Sequence, residues 1–351
     1  MNKEGMINDK TAGGDGTGSR VRIVDIAEEL GLSTATVSNV IHGKTKKISD
    51  ETVKRVEELL EKRRYIPSMA GILLAQNDSR IIGVVVNDHE KYEGRVLEDG
   101  FISAALNALS REIDRAGYFM MVKTASETEP EVITKFASMW NMEGLVLIGF
   151  CEQDYKKLRE EMHIPFVVYD GNFEKPGKLV NITIDNFDGG RQVGNYLKEM
   201  GHEKVLCISD NDICVDDARY EGLKSVYPDA VRMIVPMRKM ERIKFYNAHF
   251  KELKQYTAVF CVSDYYAVDF MFYLQSRQIE IPGEISVVGF DDSRICEQVQ
   301  PPLTTIRQDN GRRASEALRL LKELKMKDSD GKNLRLPVSL VERESVKNRK
   351  A

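Results

Sequence analysis

Residues 34 to 47 hold side chains of the types that read and bind a nucleic acid. Small side chains share one face of a predicted helix and lysines follow it: Thr34, Ala35, Ser38 and Asn39, then Lys44, Lys46 and Lys47. Small side chains can approach base edges in a major groove, and ammonium groups can contact phosphates. This combination favours DNA binding over a small helical bundle whose polar face only meets water.

A second set of polar side chains follows predicted strands at the points where those strands end. The set comprises Asn87, Asp88, Asp170, Asp210, Ser263, Asp264, Asp291 and Asp292. Ligands of parallel α/β sheets lie beyond the carboxyl ends of the strands, so these residues indicate a ligand cleft. Carboxylate oxygens there could accept hydrogen bonds from sugar hydroxyls. The same aspartates could instead cap the helices that follow them.

Three short amphipathic helices are predicted to position the first set. The first covers Ile23 to Leu30, with apolar residues at i, i+3, i+4 and i+7. Gly31 supplies a turn residue at ease with positive φ, and Ser33 is a good N-cap for the second helix. A third helix starts near Ser49. Each is too short to be stable alone, so they must pack together, which is the layout of a helix-turn-helix.

The region after residue 80 alternates short apolar runs with helical stretches. The predicted strands are Ile81–Val86, Tyr118–Val122, Gly144–Ile148, Phe166–Tyr169, Lys204–Ile208, Ala258–Val262 and Ile285–Phe290, and helices are predicted at Gly100–Ala116, Phe187–Met200 and Tyr265–Arg277. This alternation is typical of βαβ units in parallel sheets covered on both faces. The span exceeds one usual domain, so two doubly wound lobes are expected.

Charge and composition bound the class of protein. The net charge is −4, whereas residues 20 to 64 hold ten Lys or Arg and eight Asp or Glu, a local charge of +2. A basic surface must therefore be local, and nonspecific DNA affinity should be moderate and sensitive to salt. The five cysteines form no CxxC pair, and no export signal or membrane-length apolar run is present. We expect a protein of the reducing cytoplasm.

The sequence offers little support for catalysis. It contains no Gly-rich phosphate loop after a first strand, no His or Cys cluster with metal spacing and no nucleophile elbow. We expect no enzyme activity, no cofactor and no metal site. The other open class is a sugar-binding receptor on the same core without a DNA function.

Motifs along most of the chain resemble the LacI/GalR family of bacterial transcriptional repressors. They are Asp25-Ile-Ala27, Gly31-Leu-Ser33, Ala35-Thr-Val-Ser38, His42-Gly43, Ser49-Asp-Glu-Thr52, Tyr65-Ile-Pro67, Asp185-Asn-Phe-Asp-Gly-Gly190, Gly201-His202, Arg219-Tyr-Glu-Gly222, Ser263-Asp264, Ile281-Pro282, Val287-Val-Gly-Phe-Asp-Asp292, Pro302-Leu-Thr-Thr305 and Leu336-Pro-Val-Ser-Leu-Val-Glu-Arg-Glu-Ser345. The resemblance covers residues 21 to 346.

The resemblance and the composition together divide the chain. We expect a disordered tail at 1–20, a helix-turn-helix headpiece at 21–65, a hinge helix or linker at 66–80, a two-lobed effector-binding and dimerisation core at 81–346, and a short tail at 347–351. The all-α headpiece would precede an α/β core similar to periplasmic sugar-binding proteins. In this family the hinge inserts a leucine into the minor groove, and that position is Leu74 here.

The family also implies roles for individual residues. Base readers would be Thr34, Ala35, Ser38, Asn39 and Leu74, and contacts to the DNA backbone would come from Ser33, Thr36, His42, Lys44 and Lys46. Effector contacts would come from Asp170, Arg219, Ser263, Asp264 and Asp291, together with the strand-end Asn87. A guanidinium suits vicinal hydroxyls or a carboxylate, although Arg219 could instead pair with Asp216, Asp217 or Glu221.

The resemblance implies a ligand-controlled repressor that binds a pseudo-palindromic operator as a homodimer. A sugar is the expected effector, with a nucleobase or a phosphocarrier protein as alternatives. The aromatic ring that stacks on a sugar could be Tyr155, Phe173 or Tyr265.

Asn39 sets a testable expectation for the operator. Relatives often carry Arg at this position, and Arg favours guanine through O6 and N7, whereas Asn favours adenine through N6 and N7. Selection of bound sequences from a random pool should return adenine at this half-site position. Recovery of guanine there would contradict the assignment.

Overall fold

The computed structural model describes residues 21–67, 79–126, 130–150, 158, 162, 164–171, 180–326 and 332–350. The chain divides between Asn77 and Asp78 into two compact units. The expected tail at 1–20 and most of the expected hinge, including Leu74, lie outside the described residues. No helix in the described ranges has the length and apolar character needed to cross a membrane.

The first unit is a three-helix bundle. It comprises α1 (Ile23–Leu30), α2 (Thr34–Ile41) and α3 (Asp50–Lys62). Its core buries Ile26, Ala27, Val37, Val40, Val56 and Leu59. Gly31 ends α1 at φ 66°, a left-handed conformation that turns the chain toward α2. The hydroxyls of Ser33 and Ser49 cap α2 and α3 by accepting from the amides of Thr36 and Thr52.

The second unit contains twelve strands and eight helices among its described residues. In chain order they are β1 (Ile81–Asn87), α4 (Gly100–Arg115), β2 (Phe119–Ala125), α5 (Pro130–Met139), β3 (Gly144–Ile148), β4 (Phe166–Tyr169), β5 (Val180–Ile184), α6 (Asn186–Glu199), β6 (Val205–Ser209), α7 (Cys214–Lys224), β7 (Val231–Ile234), α8 (Lys239–Ala248), α9 (Phe250–Leu253), β8 (Ala258–Cys261), α10 (Asp264–Ser276), β9 (Ser286–Val288), β10 (Thr305–Arg307), α11 (Asn310–Lys325), β11 (Lys332–Leu336) and β12 (Ser339–Val341). Short 3₁₀ turns occur at Glu90–Tyr92, Val96–Glu98 and Arg294–Glu297.

Two parallel sheets form two lobes within this unit. The first lobe has strand order β11-β5-β4-β3-β1-β2, and α11 packs against α4 and against β3 to β5. The second lobe has the order β7-β6-β8-β9. Strands β1, β3, β6 and β8 are buried along their whole length. Parallel sheets buried on both faces require such continuous apolar strands.

The chain passes between the lobes three times. It leaves the first sheet after β5 and enters α6, returns from β10 into α11, and leaves again from β11 to β12. Strands β10 and β12 pair antiparallel, with Ile306 opposite Leu340. The two lobes therefore share a two-stranded connection, and the carboxyl ends of both sheets meet at one cleft.

Helices α6 and α7 approach each other through glycines. A Cβ atom built on Gly190 would lie 1.9 Å from the carbonyl oxygen of Arg219, and one on Gly222 would lie 2.0 Å from that of Phe187. Only a residue without a side chain fits such a backbone contact. This contact fixes the position of Arg219 relative to the start of α6.

Gly190→Ala should destabilise the second unit because its methyl group would force α6 and α7 apart. Overpacking of this kind costs roughly 1–3 kcal/mol, which exceeds the ~1 kcal/mol gain in helix propensity. Urea unfolding of the purified full chain measures the change.

Gly311→Ala is the matched control, because a Cβ there meets only Asp309 Oδ1 at an ordinary 3.4 Å. It should be neutral or slightly stabilising. Equal losses from both substitutions would mean that the close approach of the helices is unimportant.

Candidate functional site

The exposed face of α2 carries the side chains expected to read DNA. Thr34, Ala35 and Asn39 are exposed and Ser38 is half-buried, while Val37 and Val40 point into the core. The structure therefore places the four residues on one side of the helix. A helix presented in this way, with its N-terminal residues outward, has the geometry that enters a major groove.

The residues expected at phosphates surround this face. The Ser33 hydroxyl accepts from the Thr36 amide at 3.1 Å, and the two hydroxyls lie 2.9 Å apart, so both side chains help to begin α2. His42 is half-buried at the end of α2, and Lys44 and Lys46 are exposed just beyond it. The N-terminus of α2 adds its own free amides for a phosphate.

A cavity of about 280 Å³ lies between the two lobes of the second unit. Its lining residues follow the carboxyl ends of strands in both sheets, including Phe150 after β3, Asp170 after β4, Asp210 after β6 and Asp291 after β9. The volume is near the lower limit of ~300 Å³ for small-molecule sites. Asp170, Arg219, Ser263 and Asp291 from the expected effector set all line this cavity.

Arg219 is buried on α7 with its guanidinium at the cavity wall. Its Nε donates to Asn186 Oδ1 at 2.9 Å, and its Nη1 donates to the carbonyl oxygen of Val262 at 2.5 Å. The guanidinium carbon stacks 3.7 Å from the centre of the Phe290 ring. Its Nη2 lies 4.0 Å from Asp291 Oδ1. The side chain thus joins three segments of the fold and still faces the cavity.

Asp291 sits in a strained and poorly solvated position. Its φ is 124°, and its side chain accepts a hydrogen bond from Gln308 Nε2 at 2.5 Å. Burial raises its pKa well above the usual range, and the positive charge of Arg219 only partly opposes this effect. Ligand donors approaching this carboxyl would replace the solvation it has lost.

Asp170 forms the corresponding carboxylate of the first lobe. Its Oδ2 lies 2.6 Å from Arg313 Nη2, and the guanidinium of Arg313 stacks 4.1 Å from the centre of the Tyr169 ring. Arg313 also contacts Gln308 Oε1 at 3.3 Å. A continuous polar chain therefore leads from Asp170 in one lobe to Asp291 in the other.

Two residues of the expected effector set have other partners in the structure and do not line this cavity. Asn87 Nδ2 donates to the carbonyl oxygen of Gly149 at 2.8 Å, which joins the ends of β1 and β3. Asp264 accepts from the Ser293 amide at 2.8 Å and from the Thr305 hydroxyl at 2.6 Å. Burial raises the pKa of Asp264 to about 6 in spite of these hydrogen bonds. Ser263 caps α10 and also lines the cavity.

Sequence reasoning missed a group of cavity residues on the 3₁₀ turn after β1 and on facing elements. Lys91 Nζ lies 3.7 Å from Asp210 Oδ2 across the cleft. Burial tends to raise the pKa of Asp210, but the ammonium of Lys91 and hydrogen bonds from Asp216 and Tyr266 lower it to about 2. Burial and the neighbouring Asp210 together raise the pKa of Asp216 to about 8. Asp210 was recognisable as a strand-end residue, whereas no periodic pattern marks Lys91.

Two tyrosines at the start of α10 form one wall of the cavity. The hydroxyl of Tyr265 donates to the carbonyl oxygen of Lys91 at 2.8 Å, and that of Tyr266 donates to Asp210 Oδ2 at 2.6 Å. Behind them the buried guanidinium carbon of Arg242 lies 5.4 and 4.9 Å from the two ring centres. Of the three expected stacking residues, Tyr155 and Phe173 lie outside the described residues, and Tyr265 lines the cavity.

The described residues contain no group of three or more His, Cys, Asp or Glu side chains that could hold a metal ion. The cavity is instead lined by hydrogen-bonding and aromatic groups, which suit an organic ligand.

Comparison with known families matches both units. Residues 22–68 match the model of bacterial regulatory proteins of the lacI family, and residues 195–346 match a periplasmic binding protein-like domain. The chain is 30% identical over 344 residues to the HTH-type transcriptional repressor PurR of Vibrio atlanticus, covering 93% of this chain and 98% of that protein.

Solved structures show the same fold. The lac repressor dimer bound to operator and the anti-inducer ONPF superposes with a TM-score of 0.79 at 24% identity, covering 94% of this chain and 100% of that one. A lacI-family transcriptional regulator from Enterococcus faecium with bound ribose gives a TM-score of 0.65 at 20% identity, covering 76% of this chain and 99% of that one.

Arg313→Met should destabilise the second unit because it leaves the carboxylate of Asp170 without its cation. Removing one partner of a buried ion pair costs about 3–5 kcal/mol. Chemical denaturation of the full chain measures the loss.

Arg312→Met is the matched control, since Arg312 precedes it on α11 but is exposed. A surface substitution of this kind should change stability by no more than ~0.5 kcal/mol. Similar losses for both variants would remove the argument for the Asp170 pair.

Proposed function

The chain belongs to the lacI family of bacterial regulatory proteins and is a DNA-binding transcriptional repressor; from that premise we propose that a sugar bound between its two lobes sets its affinity for an operator. The observation that carries the proposal is the cavity at the carboxyl ends of both sheets, where Arg219, Asp170 and Asp291 meet. A ligand there contacts both lobes at once. Its binding would therefore favour one relative position of the lobes.

The chemistry of the lining supports a sugar. Arg219 offers planar donors that can bind two adjacent hydroxyls, and carboxyl groups such as that of Asp291 can accept hydrogen bonds from hydroxyls. The solved lacI-family regulator from Enterococcus faecium holds ribose, which shows that the shared fold can accommodate such a ligand. For this chain, Arg219, Ser263, Asp170 and Asp291 are the proposed contacts.

A nucleobase is the second candidate, and the aromatic lining favours it. Four aromatic side chains border the cavity: Tyr92, Phe101, Phe150 and Tyr265. Flat aromatic faces stack on planar rings such as that of a nucleobase. A melting screen of the full chain against monosaccharides, disaccharides and purines separates the two classes, because a ligand at 100 times its dissociation constant adds about 2.7 kcal/mol of stability.

The proposal for DNA is a homodimer in which each headpiece binds one half of a pseudo-palindrome in the cytoplasm. Thr34, Ala35, Ser38 and Asn39 would read bases, and Leu74 would wedge into the central minor groove. Ser33, Thr36, His42, Lys44 and Lys46 would contact the backbone. Residues 21–65 would form the headpiece, 66–80 the hinge and 81–346 the core that dimerises. The lac repressor structure is itself a dimer on its operator.

Arg219→Ala should abolish the effect of the effector on operator affinity while leaving operator binding in its absence intact. The guanidinium faces the cavity of the second unit, whereas base reading belongs to α2. Fluorescence anisotropy with a labelled operator, with and without the effector found in the melting screen, measures both quantities.

The matched control is Arg232→Ala, because Arg232 pairs with Asp217 at 2.8 Å and stacks on Tyr220 but does not line the cavity. It should retain the effector response. Loss of operator binding in Arg219→Ala alone would assign that arginine a structural role and defeat the proposed site.

A further inference from the structure

The Lys91 side chain crosses from the first lobe into an acidic and aromatic recess of the second. Its ammonium lies 3.7 Å from Asp210 Oδ2, 5.2 Å from the Tyr92 ring centre and 5.8 Å from the Tyr266 ring centre. Aromatic faces attract an ammonium group, and a carboxylate can add a charge-assisted hydrogen bond to it. We call Asp210, Asp216 and Tyr266 the ammonium box.

The box is held in shape without Lys91. Tyr266 donates to Asp210 Oδ2 at 2.6 Å, and Asn211 Nδ2 contacts Asp210 Oδ1 at 2.5 Å and Asp216 Oδ2 at 3.2 Å. Behind Tyr266, the fully buried Arg242 donates to Asp269 Oδ2 at 2.8 Å and fixes the tyrosine wall. Since these contacts all lie within the second lobe, the carboxyl groups of Asp210 and Asp216 stay oriented when a different cation replaces Lys91.

Asp210 is the charged carboxylate of the box, since the ammonium of Lys91 and hydrogen bonds from Asp216 and Tyr266 lower its pKa to about 2 in spite of its burial. The described lining also includes the acidic residues Asp99, Asp170, Asp216 and Asp291, together with Lys91 and Arg219. Asp99 caps α4, accepting from the amides of Phe101 and Ile102, and Asp170 pairs with Arg313. Asp210 lies 3.7 Å from Lys91, and Asp291 lies 4.0 Å from Arg219. Burial is the main cause of the raised pKa values of Asp216 and Asp291, so Asp210 is the carboxylate that a cationic group would meet in the box.

We propose that the ammonium box is a subsite for a primary ammonium group of the effector, as in an amino sugar, and that Lys91 occupies it as a tethered competitor. This inference rests on the proposed function, because it places the effector in the same cavity. The flexible Lys91 side chain leaves when the effector ammonium enters. Lys91 then turns toward the cavity mouth, and the ammonium group of the effector takes its place in the box.

The subsite is testable without knowing the effector. Lys91→Ala keeps Cβ, and n-propylammonium supplies the atoms that the substitution removes. At ten times its dissociation constant, n-propylammonium should raise the Tm of the full-length variant by roughly 3 °C in a saturable way. The neutral 1-propanol should not, and wild type should respond weakly because Lys91 fills the box.

Two further variants identify the cause. Adding Asp210→Asn to Lys91→Ala keeps the size of the side chain but removes its charge, and should remove the response to n-propylammonium. Glu90→Gln breaks the neighbouring 2.6 Å contact with Arg238 across the cleft without touching the box, and should behave as wild type. If Glu90→Gln responds as strongly as Lys91→Ala, the effect reflects looser lobes and the subsite is refuted. Equal responses to n-propylammonium and 1-propanol refute it as well.

The effector that emerges from the melting screen tests the second half of the proposal. An ammonium-bearing effector should bind Lys91→Met at least tenfold more tightly than wild type, because the competitor is gone. It should bind Asp210→Asn at least tenfold more weakly. A neutral effector, or a phosphorylated one that Lys91→Met weakens, would overturn the inference and make Lys91 a direct ligand contact. The proposed function would survive that result, since the Arg219 response is measured separately.

Discussion

The buried guanidinium of Arg219 is the interaction on which the cleft depends. It ties the start of α6 through Asn186, the end of β8 through the carbonyl oxygen of Val262, and the turn after β9 through Asp291. A buried cation is costly unless its donors are satisfied, so this arrangement requires all three segments to be in place together. The close glycine contact of α6 and α7 sets the position from which the guanidinium reaches them. A ligand that adds hydrogen bonds to Arg219 or Asp291 therefore acts on the junction between the lobes.

The two lobes are joined by contacts of very different strength. A buried polar chain lies near the crossing segments and runs through Asp170, Arg313, Gln308 and Asp291. Successive side chains in it lie 2.5 to 3.3 Å apart at their polar atoms. At the cleft mouth, the Glu90 to Arg238 ion pair is largely exposed and contributes little in water. The lobes can thus separate at the mouth while the crossing strands hold, which is the arrangement of a hinge.

The sequence predicted the strands that form unbroken apolar runs. Strands such as Gly144–Ile148 and Phe166–Tyr169 agree to the residue, because an unbroken apolar run allows only one buried element. Five strands were not predicted: β5, β7, β10, β11 and β12. Strands β7 and β11 lie at sheet edges and are partly exposed, and β10 and β12 have only three residues each. Strand β5 is interior and mostly buried, but polar residues interrupt its apolar sequence at Asn181 and Thr183. The family resemblance supplied the fold class, which the comparisons confirm. It could not supply Lys91, because a single turn of 3₁₀ helix carries no periodicity and the partner Asp210 lies 119 positions away in the chain.

Control of DNA binding requires the effector to discriminate between two arrangements of the core. A tenfold change in operator affinity corresponds to a coupling free energy of about 1.4 kcal/mol, which the ligand must supply as a difference in its own affinity for the two states. Lys91 already bridges the cleft in the absence of ligand. An effector that only replaces this contact therefore gains little difference in affinity between the two states of the core. The contacts that distinguish the two states must then involve groups that Lys91 does not contact. Arg219 and Asp291, at the junction between the lobes, meet this requirement. An effector that touched only the mouth of the cleft would bind without switching the protein.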